Sequence, residues 1–499
     1  MALQAIDGLG RLGEEDCRRL RERFRAAGYD SAFLGAVESV APLNLDRPRR
    51  PLIRWFLSRR PGPAADLAAL VCYMDEVERD RIEAALGADL TARLLEEGVL
   101  EACDGGRLRS GFMLVPLEEQ WFLSDPLDRG PGAVMGPGMT TLLLHRLLSE
   151  LPADSVLDLG CGAASLAVAA AGRGARATAT DLSPRAVAIA GFNARLNGVP
   201  LETRLGDVEA AVAGRTFDLV LAQPPYLPQP QGEEATTYLH GGRYGDELAM
   251  RFVSGSARLL APGGIAALHF DSVVRAGEPL PERLRQAIGD APAELLALVS
   301  KGPTPDQQAM FYAAIDHPDL GEDFQRVALA NRVHLESLGA TEIARVLVVL
   351  RRPRERDVPG GRYRIVLQAP PVNRLRPGAV REALAGLDLA SGDEPALLAA
   401  RLAPPEDATF VGEWGSPADA SPKRLDIRFG SGSLAQDREL GDGGWLLCGL
   451  FDGTRTVAEV FAPFAEAHEV TPDEARQTVT SFARDALARG LLRVVPVAP

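Results

Sequence analysis

Between residues 154 and 275, short apolar runs alternate with longer stretches whose apolar positions recur every three to four residues. Ser155–Leu159, Arg176–Asp181, Glu202–Leu205, Phe217–Ala222 and Gly264–Phe270 are predicted strands; Ala164–Arg173, Pro184–Asn197 and Asp246–Leu260 are predicted helices. Strands alternating with helices are joined by right-handed crossovers, so the pattern predicts an α/β unit: a parallel, doubly wound sheet with helices on both faces. A helix over Thr140–Leu151 precedes this unit. A helix over Ala328–Leu338 and a buried strand over Val346–Leu350 extend it.

The flanking segments read differently. Residues 1–50 predict an amphipathic helical lead-in, with Leu20, Phe24 and Phe33 set among arginines and acids. Residues 51–110 predict three helices and a short hairpin around Asp104-Gly-Gly106, the grammar of a winged helix. Such a module binds DNA or a partner, or it caps the catalytic unit on the substrate side. Phe112 to Trp121 is predicted as strand, and the Gly- and Pro-rich Asp125–Gly138 as a loop placed to cover a ligand pocket. Arg351–Gly361, charged and poorly periodic, marks a boundary. The tail again predicts helices over Trp445–Leu450, Thr456–Ala467 and Thr471–Arg489, followed by a hairpin over Gly490–Val495. The expected domains are therefore 1–111, 112–352 and 362–499, the outer two being winged-helix-like α+β domains.

Composition narrows the class. The 499 residues are 46% hydrophobic and 24% charged, enough for two to four domains with sizeable cores. A net charge of -14 argues against a chain whose main work is gripping a phosphate backbone, and favours the cap over DNA binding for the first domain. Cys17, Cys72, Cys103, Cys161 and Cys448 have no metal-ligand spacing, so no metal is expected. An odd, scattered set of cysteines fits a reducing cytoplasm. No 18-residue apolar run and no secretion signal is seen, so no membrane contact is expected.

The chemistry concentrates at predicted strand ends. Asp158 closes the first apolar strand, and Gly160, Cys161 and Gly162 form a turn in which backbone can approach a ligand without Cβ clashes. A bare Gly-x-Gly would also suit a nicotinamide dinucleotide. Here Ala163, Ala164 and Ser165 stand where a pyrophosphate glycine would be preferred. Asp181 ends the second strand, where a carboxylate can accept both ribose hydroxyls; otherwise it caps the helix begun by Ser183-Pro184. Asp207 follows the third strand, where it can accept an adenine amine while Val208 packs on the ring; otherwise it is a turn residue. Leu182, next to Asp181, is placed with the same group. Gln223-Pro224-Pro225-Tyr226 ends the fourth strand, because proline cannot continue a ladder.

Together, Val156–Gly162, the three acids and this tetrapeptide resemble the class I S-adenosylmethionine (SAM) N-methyltransferases of the release-factor glutamine and "methyltransferase small domain" type. Tyr238–Glu247 and Leu260-Ala-Pro-Gly-Gly264 resemble later segments of that family. The resemblance covers residues 112–350 and implies SAM as cofactor. It implies that the first side chain and first proline carbonyl of the tetrapeptide accept hydrogen bonds from the target NH2, while Tyr226 stacks on the planar acceptor. The family has Asn where Gln223 stands. One extra methylene implies either tolerated drift or a different nitrogen acceptor. Tyr238, His240 and Trp121 are candidates for the substrate pocket, although a lone loop histidine is more often merely solvated. Trp445–Val460 resembles PqqD-like peptide-recognition domains, with Arg424–Phe429 as part of their sheet. That resemblance implies a leader peptide added as an edge strand; a structural or oligomerisation role, including a homodimer, is the other reading.

The expected function is SAM-dependent methylation of an amide or other planar nitrogen in a peptide or protein, such as a ribosomally made natural-product precursor. The alternatives are an RNA-base N-methyltransferase, a small-molecule N-methyltransferase, and a SAM-binding scaffold with impaired chemistry.

Overall fold

The computed structural model describes the chain except for residues 1, 40–45, 127–129, 131, 233–236, 276, 318–319, 355–362, 368, 417–420 and 497–499. It divides into two compact units, Met1–Ile365 and Val366–Pro499.

The first unit is built on one eight-stranded sheet. Its strands are β1 (Ser155–Leu159), β2 (Arg176–Asp181), β3 (Glu202–Leu205), β4 (Phe217–Ala222), β5 (Leu260–Val274), β6 (Glu294–Lys301), β7 (Glu342–Arg351) and β8 (Tyr363–Leu367). Across the sheet they run β8-β6-β7-β5-β4-β1-β2-β3. The five strands β5, β4, β1, β2 and β3 are parallel, and β7 runs antiparallel between β5 and β6. The order reverses beside β1, so the crevice at the carboxyl ends of β1 and β4 is where a ligand belongs. β5 is longer than its apolar run predicts, because β7 pairs with it from Ile265 to Val274. That extension carries β5 beyond the end of β4.

Helices cover the sheet. They are α1 (Met139–Glu150), α2 (Ser165–Gly172), α3 (Pro184–Asn197), α4 (Glu247–Leu259), α5 (Leu280–Ile288), α6 (Pro305–Asp316) and α7 (Glu322–Ser337). Phe252 and Val253 of α4 and Leu284 and Ile288 of α5 pack with Leu157, Val220, Leu268 and Phe270 of the sheet. α3 starts from the Ser183 cap with proline at its first turn and ends at Gly198 in the left-handed region, as its sequence predicts.

The N-terminal helices share their core with α3. Leu9, Leu20, Phe24 and Tyr29 form one buried cluster with Ala186, Ile189, Phe192 and Leu196. Arg21 donates to the carbonyls of Arg195 and Leu196 at 2.9 and 2.6 Å, satisfying the open end of α3. Within this segment a short strand at Val77–Glu78 precedes helices Arg79–Leu86 and Ala88–Glu96. A hairpin of Leu100–Cys103 and Arg107–Ser110 follows, and Val77–Glu78 pairs with its second strand. The strand expected from Phe112 to Trp121 is instead a second hairpin, Met113–Leu117 with Gln120–Ser124. Its chain reverses at Glu118, where φ is +53°.

The second unit carries an antiparallel meander of Ala408–Glu413, Arg424–Phe429 and Arg438–Leu440. Helices Asp442–Leu450, Phe461–His468 and Pro472–Arg489 pack on Ile427 and Leu440. The terminal hairpin expected at Gly490–Val495 does not form. Arg493–Val494 pairs with Leu402–Ala403, because Gly490 turns the chain back over Leu491 and Leu492 into the same core. Among the described residues no helix is long and apolar enough to cross a membrane.

Candidate functional site

The turn after β1 is shaped by backbone. Gly160 and Gly162 have φ of +71° and +51°, where a side chain would be strained. A Cβ on Gly160 would meet the Phe252 ring at 2.9 Å, and one on Gly162 would meet the Met135 carbonyl oxygen at 3.4 Å. The amides of Gly160 and Cys161 both donate to the Thr180 carbonyl at 2.9 Å, which pins the turn to β2. The cradle is thus too tight for side chains yet open to backbone contact.

The three acids take different parts. Asp158 is buried and accepts from the Ala167 amide at 3.2 Å, bracing the first turn of α2 from beneath. Burial pushes its carboxyl up to about 7, with Asp181 adding to the rise. Asp181 accepts from the amides of Gly162 at 2.9 Å and Ser183 at 2.8 Å. The helix cap is Ser183 itself, whose hydroxyl oxygen accepts from the Ala186 amide. Asp181 therefore links the β1 turn to the β2 end, and its carbonyl accepts from Gly206 at the β3 end at 2.9 Å. Asp207 is half exposed and pairs with Arg251 at 2.9 Å, a contact weak enough in water to be exchanged for a ligand. Val208 is buried beside it at φ +41°, while Leu182 stands 63% exposed. Cys161 is half-buried, and burial raises its thiol well above the ordinary range.

At the end of β4 the amide of Gln223 is held at both ends. Its Oε1 accepts from the Thr141 hydroxyl at 3.1 Å, and its Nε2 donates to the Thr140 hydroxyl. Thr141 also accepts from the Gly138 amide at 3.2 Å, so its own hydrogen is left for Gln223. The extra methylene thus carries the amide to the first turn of α1. The glycine-rich segment beyond lies flat on Pro225 and Tyr226. A Cβ on Gly241 would meet the Pro225 oxygen at 2.5 Å, and one on Gly245 the Tyr226 oxygen at 2.5 Å. The amides of Tyr226 and Leu227 donate to Leu239 at 3.1 and 2.8 Å. His240 pairs with Leu227 in a short parallel ladder, and Tyr238 packs with Tyr226 and Tyr312.

Trp121 does not belong to this pocket. Its ring is buried against Phe24, centroids 5.7 Å apart, and its indole N–H donates to the Tyr29 carbonyl at 2.8 Å. Hairpin pairing with Pro116 directs it into the N-terminal core. Conversely, sequence reasoning missed Thr140, Thr141, Asn193, Asp125 and Arg185. Asn193 is fully buried and donates to the carbonyls of Leu123 and Ala163, tying the hairpin to the cofactor turn. Asp125 accepts from Arg185 at 2.6 Å and from the Val134 amide at 2.9 Å, bracing the loop before α1. The pairing of an acid in a Pro-Gly loop with an arginine sixty residues later leaves no periodic trace. Among the described residues no cluster could hold a metal ion.

A reversed sheet with β7 antiparallel, a glycine cradle after β1 and acids after β2 and β3 together define a class I SAM-dependent methyltransferase. Residues 137–292 match the family model described as methyltransferase small domain. The release factor glutamine methyltransferase of Cereibacter sphaeroides is 38% identical over 246 residues, 47% of this chain and 82% of that protein. The one from Moorella thermoacetica is 32% identical over 226 residues, 39% of this chain and 80% of that protein. The ribosomal protein L11 methyltransferase of Thermus thermophilus is 41% identical over 101 residues, 19% of this chain and 40% of that protein. The chain belongs to the family of the release factor glutamine methyltransferases and uses SAM. The residues fit that cofactor: Gly160 and Gly162 leave room for backbone contact, Asp181 offers lone pairs to a ribose diol, and Asp207 with Val208 offers an edge and a face to a base. SAM supplies a methyl group activated by positive sulfur; the chain's task is to place a nitrogen against it.

Proposed function

We propose that the chain methylates a planar nitrogen, such as a carboxamide, in a peptide or protein substrate. The observation that carries this reading is the Gln223–Tyr226 corner. It ends the strand next to the cofactor turn, and it is buttressed by backbone of the following glycine segment, so its carbonyls and the Tyr226 ring hold fixed positions. Relatives named as release factor glutamine methyltransferases support a protein acceptor. The reading extends to a ribosomally made natural-product precursor gripped by the second unit. In support, Ala408–Glu413 pairs on one edge only among the described residues, and it carries the partly exposed Phe410, with Trp414 following. An extended peptide adds to such an edge by main-chain bonds.

The decisive experiment couples SAM calorimetry to label transfer from methyl-labelled SAM onto glutamine-containing peptides. Micromolar SAM binding with transfer to a peptide nitrogen is expected. SAM binding with transfer only to RNA would replace the acceptor class, and no SAM binding would remove the reading altogether. Gln223→Asn is the companion variant. Shortening the side chain releases Thr140 and Thr141 and returns an amide oxygen to the acceptor side. Higher turnover on glutamine peptides would mark Gln223 as drift, and a loss of tenfold or more would mark it as a specificity device.

A further inference from the structure

β5 outruns β4 beside the transfer corner. The last rung between them joins Leu268 to Ala222, after which β4 ends at Gln223. β5 continues through His269, Phe270 and Asp271, and β7 holds it there by pairing Asp271 with Arg345. Asp271 is 5% exposed, yet its Oδ1 accepts no hydrogen bond. Arg345 Nε lies 3.7 Å away, too far to donate properly. Burial raises the phenols of Tyr226 in the corner and Tyr312 of α6, and the Asp271 charge adds to the rise in both. A buried carboxylate oxygen without a donor is costly, and beyond the carboxyl end of β4 it lies on the side of the sheet where ligands bind.

We propose that Asp271 accepts the proton shed by the methylated nitrogen. The inference rests on the reading of the Gln223–Tyr226 corner as the transfer site. The nitrogen lone pair forms a bond to the methyl carbon as the carbon–sulfur bond breaks, and its electron pair returns to sulfur to leave a neutral thioether. The nitrogen then carries the positive charge and gives one N–H proton to the Asp271 carboxylate, which becomes a neutral acid. Arg345, half exposed, marks the side from which water recovers the proton. Gln223 cannot do this work: an amide is no base, and its oxygen is already engaged by Thr141.

The surroundings suit the role. Burial pushes the Asp271 carboxyl up to about 6 against the pull of Arg345, so it is ionised at neutral pH yet basic enough to hold a proton briefly. The groups facing it are Arg345 from β7, Tyr226 from the corner and Tyr312 from α6. His269, two residues back, is pushed down to about 4 by burial and stays neutral.

The test needs no acceptor. Sinefungin carries an ammonium-bearing carbon where SAM has its sulfonium methyl; S-adenosylhomocysteine has nothing there. Calorimetry measures the ratio of their affinities for the full chain and for Asp271→Asn. At pH 7.5 the substitution is expected to lower the sinefungin preference about tenfold while leaving S-adenosylhomocysteine binding unchanged. Between pH 7.5 and 5 the wild-type ratio is expected to fall about tenfold, and the Asp271→Asn ratio to stay flat. Asp158 and Asp181 act on both ligands and cancel. An unchanged ratio in the variant, or a pH-independent wild-type ratio should the variant not fold, overturns the proposal. Failure of the wild type to bind either ligand is a different result, which removes the cofactor reading and this inference with it.

Discussion

The two sides of the crevice are built by different means. On the cofactor side the turn is set mainly by backbone: two left-handed glycines and amides bonded to the Thr180 carbonyl, with the Asp181 carboxylate bridging strand ends. On the proposed acceptor side they are side chains drawn from distant sequence. Gln223 meets Thr140 and Thr141, and the buried Asp271 stands on β5 past the end of β4. Backbone geometry tolerates little change, so it preserves a shared donor. Side-chain contacts can be exchanged one at a time, so they adapt a fold to its acceptor. If this contrast is right, damage to the first side abolishes cofactor binding, and damage to the second changes turnover with the cofactor still bound.

The largest effect is expected from Gly160→Val. A left-handed φ costs a branched residue roughly 1–2 kcal/mol or more, and the new Cβ starts 2.9 Å from the Phe252 ring. SAM affinity should fall about a hundredfold by calorimetry, with secondary structure retained by circular dichroism. Wild-type affinity in this variant would break the claim that backbone makes the cofactor side. The next effect belongs to the other side. Thr141→Val removes both the bond to Gln223 and the acceptor for the Gly138 amide. Turnover should fall about tenfold while SAM affinity changes by less than about threefold, each lost bond being worth about 1 kcal/mol. Equal losses in both would erase the distinction.

The same contrast explains what could be read in advance. β1 and β4 begin and end where their apolar runs do, because parallel central strands are buried on both faces. The glycine turn and the strand-end positions of Asp181 and Asp207 were legible because a left-handed turn needs glycine and a strand end fixes where its next residue stands. Thr140 and Thr141 were not: they lie 83 and 82 residues before Gln223, and only tertiary packing joins them. Trp121 misled because an aromatic next to a flexible loop resembles a pocket wall until hairpin pairing turns it inward. β6 gave an apolar run, Leu295–Val299, whose place between β8 and β7 depends on the reversed direction of β7.

A pH experiment sharpens the cofactor side. Asp158 has its folded carboxyl raised to about 7, whereas an unfolded aspartate sits near the ordinary range of about 4. The folded state thus binds the extra proton, so the group's contribution to stability is full below about pH 4 and is lost as pH rises through 7. Asp158→Asn keeps an acceptor for the Ala167 amide without the titration. Its melting temperature should exceed that of the wild type at pH 8 and converge with it, or drop below it, at pH 5. Parallel melting curves for the two proteins over that range would show that Asp158 is charged throughout, and that the turn rests on an ion rather than on a neutral brace.

The smallest effect comes from the residue that belongs to neither side. Trp121→Phe removes the indole hydrogen bond to Tyr29 and some apolar contact with Phe24. The lost bond and the buried carbonyl left behind are worth about 1–3 kcal/mol. In a unit of this size that amounts to a few degrees of melting temperature. SAM affinity and turnover should both stay within twofold, because the ring lies in the N-terminal core beside α3, whose position Asn193, Asn197 and Arg21 hold without the indole N–H. A selective loss of turnover in Trp121→Phe would place the N-terminal core in mechanical contact with the acceptor corner, and the division between a rigid donor side and an adaptable acceptor side would have to include it.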